Sequence, residues 1–176
     1  MTIHLLRHFK VMDNTNSWLN PSEFNAWVKT YDTLPLKVID VNLSDDIDGI
    51  YCSTLSRARR TVASLSTSQT IIYTDQLVEV GSRVFFDTSL KLEKYIWFGM
   101  GSLLWYFNKL EGENKRDSKV RAKKLIDMLK SSKKENVLLV SHGFFMRVLA
   151  KELESNGFKG EIDFRPRNAK IYTFNS

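Results

Sequence analysis

At 176 residues, with 43% apolar and 26% charged side chains, the chain has the make-up of an ordinary globular protein. It is long enough to close a hydrophobic core as one domain over residues 1–176 without staples. A lone cysteine, Cys52, excludes an internal disulfide, the N-terminus carries no signal-peptide pattern, and the most apolar stretch, residues 95–107, falls short of the ~20 residues a membrane helix needs. The sequence therefore reads as cytoplasmic and free of the membrane. Its formal charge of +6 would suit nucleic acid, but residues 115–134 hold nine Lys or Arg against two Asp and account for the whole excess. That segment also carries an apolar stripe of Ala122, Leu125, Ile126 and Leu129 at helical spacing. Its charges are thereby assigned to a solvated helix face, which argues against a nucleic-acid partner.

In chain order, residues 3–6 form a short apolar strand. Asn20-Pro21-Ser22-Glu23 is a helix start, with Asn as N-cap, Pro at the first helical position and Glu placed for a capping box. The helix presents Phe24, Trp27, Val28 and Tyr31 at helical spacing and ends before Pro35. Residues 47–52 predict a second strand, followed by a turn and a helix with Ala58, Thr61, Val62 and Leu65 on one face. Residues 70–73 predict a short peripheral strand. Residues 136–140 predict a buried one, followed at once by a helix carrying Phe145, Val148, Leu149 and Leu153. A last strand covers residues 170–174. Strands separated by helices predict βαβ units, hence an α/β three-layer sandwich with a central, mostly parallel sheet and helices on both faces.

Ligands of such sheets sit beyond the carboxyl ends of the strands. Three predicted strands end in polar groups: one in Arg7-His8, one in Ser53-Thr54-Leu55-Ser56-Arg57, one in Ser141-His142-Gly143. Two Arg and two His meeting beside helix N-termini make an anion pocket suited to a phosphoryl group. Singly, each has a plainer reading. A strand-end His is often a structural hydrogen-bonder, Arg57 could be a surface residue beside Arg59 and Arg60, and His4, mid-strand, reads as packed or satisfied. It is the combination that carries the functional reading. Competing motifs fail: Cys52 and Arg57 are one residue too close for a cysteine phosphatase loop, and Gly99-Met100-Gly101 lacks a third Gly. The chain has no phosphate-loop Gly-Lys-Ser or Gly-Lys-Thr, and three scattered His with one Cys make no zinc set.

Leu5-Leu6-Arg7-His8 resembles the opening motif of the histidine phosphatase (phosphoglycerate mutase-like) superfamily. Ser53-Thr54-Leu55-Ser56-Arg57-Ala58-Arg59-Arg60-Thr61 is similar to that family's Ser-x-Leu-x-Arg-Ala-x-x-Thr block. Leu77-Val78-Glu79 resembles the stretch that brings its acid, and Val140-Ser141-His142-Gly143 its late Ser-His-Gly. The four blocks occur in the family's order, from residue 5 to 143; Asn168-Ala169 also looks family-like. The resemblance implies a metal-independent phosphatase, without a cofactor, that acts on a small phosphorylated substrate or a phosphoprotein. It implies His8 as phosphate acceptor, with Arg7, Arg57 and His142 on the phosphoryl oxygens. Glu79 becomes the proton donor, a role that near neutral pH requires a raised pKa. Asn14 falls where the family often places a phosphate-contacting Asn. A phosphomutase of the same superfamily and a phospho-ligand-binding module without turnover are the alternatives.

The chain departs from the family pattern at Phe9 and Val11, where Gly and Thr are usual, and Phe9 is expected to put a bulky ring beside the pocket. Residues 80–115 contain Phe85, Phe86, Tyr95, Trp97, Phe98, Trp105, Tyr106 and Phe107. In the family this segment commonly covers the site as a cap. The plainer reading is that most of these rings extend the core; presenting some to a leaving group or to a second subunit would leave a homodimer open.

Overall fold

The computed structural model describes residues 1–81, 88–109 and 113–176. In chain order the elements are β1 (Thr2–Arg7), β2 (Lys10–Val11), β3 (Trp18–Leu19), α1 (Pro21–Tyr31), β4 (Leu36–Lys37), β5 (Gly49–Ser53), α2 (Ser56–Ala63) and β6 (Ile71–Thr74). There follow β7 (Leu92–Glu93), α3 (Lys94–Tyr106), α4 (Lys115–Ser131), β8 (Asn136–Ser141), α5 (Gly143–Ser155), β9 (Lys159–Gly160) and β10 (Ile171–Asn175). Among the described residues the main sheet has six strands in the order β6-β5-β8-β1-β10-β9. The first four run parallel, and β10 lies antiparallel to β1. This is the mostly parallel α/β architecture that the alternation of apolar runs predicts, with strand ends displaced by a residue or two.

The layering follows from side-chain alternation. Ile3 and Leu5 of β1, Tyr51 of β5 and Val137 and Leu139 of β8 point to one face, beneath α4 and α5. Leu6, Ile50, Cys52, Leu138 and Val140 point to the other, beneath Ala58 and Val62 of α2. β5 and β8 are covered on both sides, which is why they read as continuous apolar runs rather than alternating ones. On α4, the stripe Ala122, Leu125, Ile126 and Leu129 is fully buried. Each such Leu or Ile contributes roughly 1.5–3 kcal/mol, so the central strands and their covering helices hold one another in register.

α1 starts as its capping box predicts. Asn20 accepts the Glu23 N–H at 2.9 Å and Glu23 accepts the Asn20 N–H at 2.9 Å. Its apolar face packs on α3 rather than on the sheet, in a separate cluster of Leu19, Phe24, Trp27 and Trp97. Here the aromatic segment divides. Trp97 and Trp105 are buried, each donating its indole N–H, to the Leu19 carbonyl at 2.7 Å and to Ser118 Oγ at 3.0 Å. Phe98 packs against Phe24 and Trp27, while Tyr95, Tyr106 and Phe107 are exposed. Phe85 and Phe86 lie outside the described residues. Among the described residues no helix is long and apolar enough to cross a membrane.

β1, β5 and β8 are parallel, so their carboxyl ends share one edge of the sheet. Arg7 lies opposite Ser141 and Cys52 opposite Val140. The residues that follow these ends build the site.

Candidate active site

His8 leaves β1 with its amide still bonded to the Ser141 carbonyl at 3.0 Å. Its ring is buried, and its Nδ1 lies 2.7 Å from the Phe9 carbonyl oxygen. A carbonyl can only accept, so Nδ1 carries the ring proton and Nε2 carries the lone pair. That lone pair receives the Nε–H of Arg57 at 3.2 Å. Burial holds the His8 imidazole well below its ordinary value of 6.5, and Arg57 and Arg7 alongside push it the same way. The ring is therefore neutral near pH 7, as a nitrogen nucleophile must be.

His142 stands at the start of α5, fully buried, its ring centroid 5.1 Å from that of His8. Its Nε2 lies 2.8 Å from Ser53 Oγ, the last residue of β5. Leu55 N–H donates to the same hydroxyl at 3.3 Å; with the Ser53 proton turned toward Nε2, the ring proton of His142 sits on Nδ1. That Nδ1 is buried and has no partner. Burial, then Arg57, His8 and Arg7, hold this imidazole far below 6.5 as well. Arg7 gives one N–H to the Pro166 carbonyl at 2.7 Å, whereas its Nε is buried and unpaired. Gly143 makes this arrangement feasible: a Cβ there would lie 3.0 Å from the guanidinium carbon of Arg7. The Asn168 side-chain amide donates to the His8 carbonyl at 2.7 Å, and Ala169 N–H to that of Arg7 at 3.0 Å. The Asn168-Ala169 dipeptide thus tethers the strand end.

Glu79 comes to the same helix start as His142. Its carboxylate accepts the N–H groups of Phe145 at 2.9 Å and Phe144 at 3.3 Å, the first turn of α5, and of Val80 at 3.1 Å. Arg121 secures the segment that delivers it. One nitrogen donates to the carbonyls of Gln76 at 2.9 Å and Val78 at 2.8 Å, its guanidinium lies 3.8 Å over the Phe145 ring, and Glu113 pairs with it at 2.8 Å. Most charges of α4 lie on its exposed face as expected, and Arg121 is the correction to that expectation. Arg121 is turned inward because the carbonyls before Glu79 need donors.

The other expected residues divide. Asn14 is exposed in the turn between β2 and β3, and the contacts that join Arg7, His8, Arg57 and His142 do not include it. Beside it, burial raises the Asp13 carboxyl. The Lys94 ammonium at 2.6 Å and the Thr15 hydroxyl and amide outweigh that and hold it below the carboxylate range, so it is no proton donor near neutral pH. His4 is satisfied within the sheet by Thr173 at 2.9 Å and Asn136 at 2.8 Å. Cys52 is fully buried, and burial pushes its thiol up to about 12, so it offers no thiolate. Among the described residues no group of three or more His, Cys, Asp and Glu is placed to hold a metal ion.

The Phe9 expectation is corrected. The ring is fully buried in the cluster of Leu6, Ile47, Ala58, Val62 and Leu65 beneath α2. Its amide bonds Thr61 Oγ1 at 2.9 Å and its carbonyl orients His8. The side chain is core, and only the backbone serves the site. Asp32, which sequence reasoning missed, pairs with Arg57 at 2.8 Å. No local pattern connects residues 25 positions apart.

Residues 40–176 match the family model described as the histidine phosphatase superfamily (branch 1), and the chain belongs to that superfamily. The matched span starts after β1, so Arg7 and His8 join it through the fold. Compared with curated proteins, the chain finds no match. Among solved structures it is similar to a phosphoserine phosphatase mutant from Entamoeba histolytica in complex with phosphoserine. The identity is 15%, covering 99% of this chain and 90% of that one, with a TM-score of 0.59. An alpha-ribazole phosphatase from Shigella flexneri gives 20%, 98%, 89% and 0.52 for the same measures. A mycobacterial glucosyl-3-phosphoglycerate phosphatase gives 17%, 98%, 88% and 0.55. At these identities the likeness is one of fold.

Two measurements test this description. Phe9→Ala should destabilise the protein by about 3–5 kcal/mol in denaturant unfolding, as loss of a core ring does. An unchanged midpoint with tighter phosphate binding would instead put the ring in the pocket. The second concerns the neutral imidazoles. Folding depresses both histidines, so as pH falls through about 6.5 the unfolded chain gains protons that the folded chain refuses. Stability should then fall by up to about 1.4 kcal/mol per pH unit for each ring, while staying flat from this source above that pH. A variant with both His8→Gln and His142→Gln should lose that part of the acid slope. Equal slopes in both proteins would mean that the rings protonate in place.

Proposed function

We propose that this protein is a phosphatase that hydrolyses a phosphate ester, of a small molecule or a phosphoprotein, through a phosphohistidine on His8. The observation that supports this most directly is the pair of buried, unpartnered nitrogens, Arg7 Nε and His142 Nδ1, in a site where Arg57 already donates to the His8 lone pair. An orphaned buried donor costs about 1–3 kcal/mol. A tetrahedral dianion among these groups would satisfy both at once, and its oxygens would draw Arg57 Nε–H away from the nitrogen that must attack.

In the first step the neutral Nε2 of His8 attacks phosphorus in line. The P–N bond forms as the P–O bond to the leaving group breaks, while the arginines and His142 stabilise charge on the equatorial oxygens. Glu79 takes up a proton beside the bound phosphoryl dianion and gives it to the departing alkoxide, which leaves as the alcohol. In the second step water attacks phosphorus, its proton returns to Glu79, the P–N bond breaks, and inorganic phosphate and free His8 remain. Nδ1, held on the Phe9 carbonyl throughout, keeps the ring in one tautomer.

Acid-labile phosphate should be trapped on His8 when the reaction is quenched in denaturant. His8→Ala should lose both the label and turnover while keeping its fold by circular dichroism; substantial turnover in that variant would refute the mechanism. For Glu79, the demand for a proton scales with leaving-group basicity. Glu79→Gln should slow the phosphoenzyme burst from an alkyl phosphate by about 10²–10⁴-fold and from nitrophenyl phosphate far less. Equal losses would remove Glu79 as the acid.

A further inference from the structure

Arg57, whose Nε–H reaches His8, is also held through its NH1 group. Asp32, the residue after α1, sends its carboxylate across to the start of α2. One oxygen accepts the Ser56 N–H at 2.7 Å; the other accepts the Arg57 N–H at 3.1 Å and Arg57 NH1 at 2.8 Å. α2 needs this, because its own N-cap residue, Leu55, offers no side-chain acceptor. Arg60 fixes Asp32 in turn, donating to its carbonyl at 2.8 Å and to that of Leu34 at 2.9 Å. Both partners of the ion pair are largely buried, with side-chain exposures of 10% for Arg57 and 22% for Asp32.

We propose that Asp32 is a positioning residue for phosphoryl transfer: by holding NH1 of Arg57 it orients the planar guanidinium so that Nε–H faces His8 Nε2. The inference rests on the phosphatase reading and deepens it. A guanidinium is rigid, so fixing one amino group fixes the direction of the Nε–H on the opposite edge. The long arginine side chain, left unanchored, has many rotamers to lose before it can meet a phosphoryl oxygen. Asp32 also offsets part of the positive charge, so it restrains ground-state attraction for anions while sharpening geometry. Orientation of this kind acts on the rate of the chemical step more than on affinity.

The test is a double-mutant cycle with Asp32→Asn and Arg57→Ala, read in two ways. Asparagine keeps an oxygen for the α2 amides but removes the charge that holds NH1. Asp32→Asn should slow the phosphohistidine burst from nitrophenyl phosphate about 10–100-fold, the scale of a small misplacement. Affinity for inorganic phosphate, by calorimetry, should be kept or rise. In the Arg57→Ala background the same change should add nothing. The second reading is independent of turnover: the Arg57 Nε–H proton signal, protected from exchange in the wild type, should lose protection in Asp32→Asn. An unaltered burst, an equal slowing without Arg57, or a protected Nε–H in Asp32→Asn would each overturn the proposal. If the wild type forms no phosphohistidine, the phosphatase reading fails and the Nε–H signal alone decides whether Asp32 holds Arg57.

Discussion

Parallel pairing of β1 with β8 places Arg7 opposite Ser141 and carries His8 and His142 out of the sheet side by side at one edge. The site depends on that register. A slip of one residue would turn Leu6 and Val140 toward α4 and α5, and Ile3, Leu5 and Leu139 toward α2, exchanging the two cores. The two fully covered strands β5 and β8 make such a slip costly, so the core and the geometry of the candidate site are fixed by the same interactions.

At that edge the electrostatics are arranged around absence of charge on the imidazoles and presence of charge on the arginines. Two neutral rings lie among Arg7 and Arg57, and burial first, then those cations, makes protonation of either ring unfavourable. The two helices that open beside the pocket, α2 and α5, both lack a side-chain cap of their own. Each takes a carboxylate from elsewhere: Asp32 for α2, Glu79 for α5. Both carboxylates thus complete a helix and stand at the site. Favourable placement of an anion at a helix N-terminus is general, and here it brings one carboxylate to Arg57 and the other to the helix that starts at His142.

The supports lie one layer further out. Arg121 holds the carbonyls before Glu79, Arg60 holds the turn that carries Asp32, and Asn168 holds the carbonyl of His8. α1 and α3 form their own cluster, joined to the loop after β2 by the buried ion pair of Lys94 with Asp13, with Lys94 Nζ 4.8 Å from the Trp27 ring. Asn14, between Asp13 and Thr15, is therefore carried on a turn that α3 anchors.

The sequence by itself determined the main strands of the sheet, the helices beside them and the strand-end positions of the candidate site residues. Period-2 and period-3.6 patterns, the Asn20 capping box and the strand-end placement of Arg7, His8, Arg57 and His142 are relations between near neighbours, and local sterics and hydrogen bonding enforce them wherever the chain goes. Tertiary structure decided the rest. Asp32 meets Ser56 and Arg57 across more than twenty residues, and Arg121 meets the segment before Glu79 across more than forty. Asn168 meets His8 across nearly the whole chain. Phe9 looked like a pocket wall because it follows His8, yet its amide is taken by Thr61 and its ring turns under α2. The direction of a side chain just past a strand end, and the partner of a charge, are set by which buried donors and apolar surfaces remain unsatisfied once the layers have packed, and no local pattern encodes that.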